Sequence, residues 1–143
     1  MAVASGMGAI VSGEALEPGV ALQRLAAAPH LVAHAQFLIE RLGFAADAAR
    51  AQIRAAREQK HFDVAELFAF VCPARFATPT PQGFARSLAL EPTASDAETL
   101  HLAAQDLLAR LANRHYPNIR ETAENANFLV HANWPWARLV LAA

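Results

Sequence analysis

The apolar residues of this chain recur with a helical period along most of its length. One short stripe has the spacing i, i+3, i+4 and i+7 and consists of Val64, Leu67, Phe68 and Val71. Asp63 precedes this stripe as a candidate N-cap, with Glu66 three residues later, and Pro73 follows it. Because proline lacks the amide hydrogen that continues a helix, the pattern predicts a helix between Asp63 and Pro73.

A second helix is predicted after a turn that contains two prolines. Thr78 and Thr80 each precede a proline, and a residue in that position is pushed out of the helical region. Helix is expected to resume over residues 83–90. A longer helical stripe then consists of Leu100, Ala103, Ala104, Leu107, Leu108 and Leu111. Thr93 or Ser95 is expected to open that helix.

The other segments are assigned by the same criteria. Helices are predicted at residues 18–28, 36–42, 45–60, about 117–132 and from 135 onward. Pro18 suits the first position of its helix, and Gly43 is expected to end the second one. Short strands are predicted at residues 9–11 and 31–32. The pattern therefore predicts a helix-rich α/β domain with few short strands.

Two segments carry a resemblance to a known family. Residues 62–90 read FDVAELFAFVCPARFATPTPQGFARSLAL, and residues 134–137 read WPWA. Both are similar to the region that precedes the motor in a bacterial group of DinG-like ATP-dependent DNA helicases. The resemblance spans roughly residues 13–143. It implies that ATP and Mg²⁺ bind to a downstream motor of the parent protein and that no cofactor binds to this segment.

The leading region of related helicases looks like a DnaQ-type exonuclease domain, which has a ribonuclease-H-like fold. Residues 30–42 resemble the segment that reads roughly V-x-H-N-A-x-F-D in active exonucleases. His34 and Phe37 are kept, but the segment is one residue shorter and Leu38 stands in place of the metal-binding aspartate. The resemblance thus implies a truncated or degenerate exonuclease-like domain made mostly of packed helices.

Composition and charge limit the partners of the chain. At 143 residues it is expected to form one domain, with 55% hydrophobic and 17% charged residues against about 25% charged in typical domains. We therefore expect part of its exterior to meet another domain, and the apolar ending favours an N-terminal fragment of a longer chain. The net charge of -1 predicts no strong field toward phosphate. The single cysteine, Cys72, and the lack of a membrane-length apolar run or signal sequence favour the cytoplasm.

The tetrad Asp96-Ala97-Glu98-Thr99 matches the D-x-E-T of an exonuclease's first metal-binding motif. That motif works on a strand, where alternate residues direct two carboxylates at one pair of metal ions. Here the tetrad enters a helical period, so Ser95 and Glu98 are interpreted as a capping box.

Other candidate chemistry lacks a complete set of residues. His30 and His34 have a spacing that can share a metal on one helical face, but no third ligand stands at a recognisable spacing. A phosphate-binding loop needs a Gly-Lys-Ser/Thr sequence, and the single lysine, Lys60, lies between Gln59 and His61. We therefore predict no catalytic, metal-binding or cofactor-binding residue in this segment.

Two surfaces are candidates for contact with partners. A basic stripe at i, i+4 and i+7 consists of Arg50, Arg54 and Arg57. It suits a nucleic-acid backbone or an acidic neighbour, and the alternative is a solvated face with an Arg54–Glu58 pair. Trp134 and Trp136 suit an interdomain contact, and the alternative is packing within the domain.

The resulting expectation is a non-catalytic domain that supports and positions a helicase motor. Its expected partners are the downstream motor domains of the same chain and DNA, without a membrane. Two alternatives stay open. One is a metal-dependent 3′–5′ exonuclease, which needs four carboxylates around two metals, and the other is a free-standing helical adaptor for protein interactions.

Overall fold

The computed structural model describes residues 16–113, 116–117 and 119–143. The helices in these ranges are α1 (Pro18–Ala27), α2 (Ala35–Ala45), α3 (Arg50–Glu58), α4 (Val64–Val71), α5 (Pro81–Leu88), α6 (Asp96–Leu111), α7 (Ile119–His131) and α8 (Ala137–Ala142). The strands are β1 (Leu31–Val32), which follows α1, and β2 (Phe62–Asp63), which follows α3. The prediction of a helix-rich α/β chain is confirmed, whereas the strand predicted at residues 9–11 lies outside the described residues.

The two strands form a short parallel sheet. Leu31 pairs with Phe62, and Val32 pairs with Asp63. Because successive side chains of a strand point to opposite faces, Leu31 joins one hydrophobic cluster and Val32 joins another. The sheet therefore lies between two packed units of the same chain.

The two units differ in size. The small lobe consists of α1, α2 and α3, and its buried cluster is formed by Leu22, Leu25, Val32, Ile39 and Ala56. The large lobe consists of α4 to α8, whose buried residues include Leu67, Phe84, Leu107, Trp136 and Val140. Among the described helices, none is both long and apolar enough to cross a membrane.

The strongest helical patterns are confirmed. In α6 the Ser95 hydroxyl accepts a hydrogen bond from the Glu98 amide at 3.4 Å, as predicted for an N-cap. The buried face of this helix includes Leu100, Ala103, Ala104, Leu107 and Leu111. Helix α4 begins after Asp63 and ends at Val71, before Pro73, as its stripe predicts.

The prediction that Gly43 ends a helix is wrong, and so is the single helix over residues 45–60. Gly43 is buried inside α2, where an added Cβ would lie 2.7 Å from Cδ1 of Ile53. The glycine thus lets α2 and α3 approach closely. The chain then leaves the helical region because Asp47 has a φ of 46°, and helix resumes only at Arg50.

Helix α5 begins two residues earlier than predicted, with the Thr80 hydroxyl accepting from the Gly83 amide at 3.0 Å. It ends at Leu88 because Ala89 adopts the left-handed conformation, with φ 59° and ψ 39°. A left-handed non-glycine residue is strained by its Cβ, whereas glycine adopts that conformation freely.

We therefore expect Ala89→Gly to stabilise the protein. Relief of the strain outweighs the extra freedom of glycine in the unfolded chain, so the free energy of unfolding should rise by about 0.5–1 kcal/mol. Thermal unfolding followed by circular dichroism measures the change. The matched control is Ala112→Gly at the end of α6, where φ is -68° and glycine should destabilise. An equal loss of stability in both variants would contradict the account of Ala89.

Candidate functional site

A cleft of about 820 Å³ opens between the small lobe and the large lobe, and its lining includes residues that follow β1 and β2 as well as residues 59–61, which precede β2. The first turn of α2 and the connection from α3 to β2 line one side, and α4 and the connection from α7 to α8 line the other. Sites for ligands in α/β folds commonly lie at the carboxyl ends of parallel strands. We call this feature the strand-end cleft and treat it as the candidate site.

Asp63 lies at the base of the strand-end cleft and caps the start of the large lobe. It is 6% exposed. Its Oδ1 accepts hydrogen bonds from the amides of Ala65 at 2.9 Å and Glu66 at 3.3 Å, and its Oδ2 accepts from the amide of Ala35 at 2.7 Å. The carboxylate thus holds the first turn of α4 and the first residue of α2 together. A negative charge is favourable at both helix N-termini.

His34 caps α2 on the other side of the cleft. Its Nδ1 accepts from the amide of Phe37 at 3.4 Å. His30 lies before β1, where its Nδ1 is 2.7 Å from the carbonyl oxygen of Ala28. The two histidines are therefore separated by a strand and do not share a helical face. Within the described ranges, no group of three or more His, Cys, Asp or Glu side chains is placed to hold a metal ion.

Glu66 and Trp134 form the wall of the cleft in the large lobe. Nε1 of Trp134 donates to Oε2 of Glu66 at 2.9 Å, and the indole ring packs against Phe70 with 5.1 Å between ring centroids. Desolvation of the carboxyl group raises the pKa of Glu66, and the charge of Asp63 adds to this. The hydrogen bond from Trp134 opposes the shift, so that the wall combines a polar contact with an aromatic one.

The two tryptophans predicted as candidate contacts have different positions. Trp136 is 0% exposed, its Nε1 donates to the carbonyl oxygen of Asp63 at 2.8 Å, and its ring meets Phe62 edge-on at 5.1 Å. The structure therefore places Trp136 in the core, where it packs within the domain. Trp134 is half-buried and lines the cleft.

The three candidate arginines lie on α3 in the small lobe. Arg57 donates to Oε1 of Glu40 at 2.7 Å, and Nε of Arg54 lies 3.8 Å from Oε1 of Glu58. Arg50 is exposed at the start of the helix. Exposed ion pairs of this kind contribute little to stability, about 0–1 kcal/mol. Arg57 also lines the strand-end cleft.

The residues of the D-x-E-T tetrad lie at the start of α6. Asp96 is the first residue of this helix, and its Oδ1 accepts a hydrogen bond from Nε2 of Gln82. Asp96 and Glu98 are both exposed. The two carboxylates therefore belong to the first turn of a capped helix and do not alternate along a strand. Cys72 is buried at the end of α4 and packs with the hydrophobic cluster of the large lobe.

The sequence identifies Asp63 as a helix cap, but it does not indicate the cleft that this residue supports. No local pattern in the sequence connects His61 with Glu66, although both line the cleft. The one available signal was the sequence His61-Phe62-Asp63 directly before a strong helical stripe, which is compatible with a short buried strand. In the comparisons with known proteins, no family model, curated protein or solved structure matches this chain.

Proposed function

We propose that this chain is a non-catalytic domain that supports and positions the motor of a DinG-like ATP-dependent DNA helicase. The observation that supports the proposal is the role of Asp63, which lies within the segment that resembles this family and binds backbone amides of two helices. Three backbone amides donate to its carboxylate, so the residue fastens the starts of two helices, which is a structural role. The strand-end cleft is thus built around a structural carboxylate.

The same proposal includes a degenerate ribonuclease-H-like fold. Parallel pairing of β1 and β2 across α2 and α3 supports it, because parallel strands need a long connection that is usually helical. In this proposal ATP and Mg²⁺ bind to the motor, and the motor domains are the partners of this chain. DNA is a second partner, which the arginines of α3 suit by their charge.

Two alternatives make different demands on the structure. A metal-dependent 3′–5′ exonuclease needs several carboxylates around two metal ions, and the exposed carboxylates of Asp96 and Glu98 in a helix turn disfavour it. A free-standing adaptor for protein interactions needs an exposed contact surface, and the exposed aromatic side chains include Phe44 at 91% and Phe76 at 85%.

The proposal is tested by comparing three proteins: the full product of the gene, the same product without residues 1–143, and the 143-residue chain. We expect the chain alone to show no ATP hydrolysis, no unwinding of a forked duplex and no degradation of labelled single-stranded DNA with Mn²⁺. The shortened product should keep ATP hydrolysis but unwind the duplex more slowly, because it lacks the positioning domain.

Two results would contradict this proposal. A coding sequence without a motor downstream of Ala143 would favour the adaptor. Mn²⁺-dependent degradation of DNA by the chain, abolished by Asp96→Asn, would establish the exonuclease. Glu91→Gln is a matched control for that substitution, because Glu91 is also an exposed carboxylate and lies before α6.

A further inference from the structure

His61 lies where the small lobe meets the two-stranded sheet. Its side chain is buried, and the residue is 6% exposed. Nε2 is 2.9 Å from the carbonyl oxygen of Ala56, near the end of α3, and Nδ1 is 3.1 Å from the amide nitrogen of His30, which precedes β1. One imidazole ring therefore connects α3, β1 and β2.

The two partners of His61 determine the position of its proton. The backbone amide of His30 can only donate, so Nδ1 of His61 must accept and carries no hydrogen. The carbonyl oxygen of Ala56 can only accept, so Nε2 must carry the hydrogen. This arrangement requires the neutral imidazole, in a single tautomer.

Protonation of His61 is incompatible with these contacts. A hydrogen on Nδ1 would face the amide hydrogen of His30 across 3.1 Å, and the hydrogen bond would be lost. The amide would then be a buried donor without a partner, which is costly. The imidazolium charge would also lie in a buried position next to the ring of His30, with 6.3 Å between the ring centroids.

The charged groups around His61 do not compensate for this cost. Burial lowers the pKa of His61, with a further lowering by His30, whereas the carbonyl group of Ala56 and the charge of Asp63 raise it. The carboxylate of Asp63 is already bound to three backbone amides. Across the cleft, Glu66 lies on α4 and interacts electrostatically with Asp63, His34 and Lys60. The net effect of these groups is that the pKa of His61 is lowered.

His61 holds the small lobe, which has the smaller hydrophobic cluster of the two lobes. Among the described residues, the buried cluster of the small lobe has five members, whereas that of the large lobe has sixteen. Ala56, whose carbonyl oxygen binds His61, is one of the five and is 0% exposed. Units with few buried apolar contacts open at lower free energy than the rest of a protein.

We propose that His61 is a pH-operated latch that fastens the small lobe to the two-stranded sheet. In the neutral state the latch holds α3 and residues 59–61, which form the wall of the strand-end cleft on the small-lobe side. Protonation breaks the contact with His30 and releases this wall, while the large lobe stays folded. The cleft is then wider at acidic pH than at neutral pH.

The direction of the pH effect follows from the difference in the pKa of His61 between the closed and open forms. In the open form His61 titrates near its ordinary value of 6.5, and in the closed form its pKa is lower. The open form therefore binds more protons, and acid favours it. The latch is fully fastened above about pH 6.5 and loosens as the pH falls through that value. At about pH 5 the opening equilibrium should rise by up to about 30-fold.

Hydrogen exchange of the 143-residue chain, followed by NMR at about pH 7.5 and about pH 5, measures the opening. After correction for intrinsic exchange, amides of α3 and of His30 should lose up to about 30-fold of their protection at the lower pH. Amides of α6 should keep theirs. NMR of the imidazole nitrogens at neutral pH should show His61 with its hydrogen on Nε2.

Two variants distinguish the protonation of His61 from a general effect of acid on the domain. In His61→Gln the side-chain amide can accept from His30 and donate to Ala56 but does not titrate, so the loss of protection in α3 should disappear. His131→Gln replaces an exposed histidine of α7 and should behave as the original chain does. If His61→Gln fails to fold, the tautomer and the pH dependence of exchange in the original chain still decide the question.

Three results would overturn the proposal. The first is a hydrogen on Nδ1 of His61 at neutral pH. The second is equal protection of α3 at both pH values, or an acid-dependent loss that persists in a folded His61→Gln variant. The third is loss of protection in α6 together with α3, which would mean that acid unfolds the whole domain.

Discussion

Trp136→Ala is expected to lower the free energy of unfolding by about 3–5 kcal/mol, the usual cost of removing a buried tryptophan side chain. Two losses add up at this position. The ring is fully buried in the large lobe and packs edge-on against Phe62, so alanine would leave a cavity. The indole also donates to the carbonyl oxygen of Asp63, which would lose its partner. Since small domains are stable by only about 5–15 kcal/mol, a large fraction of the variant should be unfolded on mild heating.

Urea denaturation followed by circular dichroism measures this change without relying on tryptophan fluorescence. Trp134→Ala is the matched control, because Trp134 is half-buried and donates to an exposed residue, Glu66. Its cost should stay below about 2 kcal/mol. Trp136→Phe keeps most of the ring volume and isolates the hydrogen bond to Asp63. Equal losses in Trp134→Ala and Trp136→Ala would show that the core does not depend on Trp136.

Asp63→Ala should lower the free energy of unfolding by about 2–4 kcal/mol, the sum of a lost N-cap and of buried amides left without acceptors. The carboxylate accepts hydrogen bonds from the backbone amides of Ala35, Ala65 and Glu66. Because these belong to α2 and α4, its loss weakens both lobes at their junction. The midpoint of urea denaturation should fall accordingly.

Asp63→Asn tests the role of the second oxygen. An asparagine keeps one oxygen as an acceptor, but its NH₂ group would face a backbone donor, so the variant should lie between Asp63→Ala and the original chain. Asp96→Ala is the control for an aspartate at the start of α6, where the hydroxyl of Ser95 remains as the cap. A loss for Asp96→Ala as large as that for Asp63→Ala would contradict the special position of Asp63.

The features that the sequence predicts well are those with a local physical cause. Helix α4 depends on an N-cap and an apolar stripe that lie within nine residues, and Asp63 and Val71 bound it as expected. The same holds for α6, where Ser95 caps a stripe of apolar residues. Proline and cap residues determine where a helix begins or ends through contacts with residues nearby in the chain, so a single sequence is enough to predict their effect.

The features that the sequence does not predict depend on distant neighbours. Gly43 is placed inside α2 by its close approach to Ile53 of another helix, which overrides the usual preference of glycine for a helix end. Strand β2 has only two residues, too few to show an alternating pattern, and it exists because β1 pairs with it. The strand-end cleft combines residues from both lobes, so no local pattern in the sequence indicates it.

Parallel pairing of β1 with β2 also affects how the chain folds while the ribosome synthesises it, because β2 emerges about 30 residues after β1. The small lobe is completed only when residues 61–63 have emerged, since Ala35 and Ala56 take their hydrogen-bond partners from there. Helices α1, α2 and α3 are synthesised earlier, and their shared cluster of Leu22, Leu25, Val32, Ile39 and Ala56 lies wholly before that segment. The small lobe can therefore bury its own cluster first, and its junction with the large lobe forms later in synthesis.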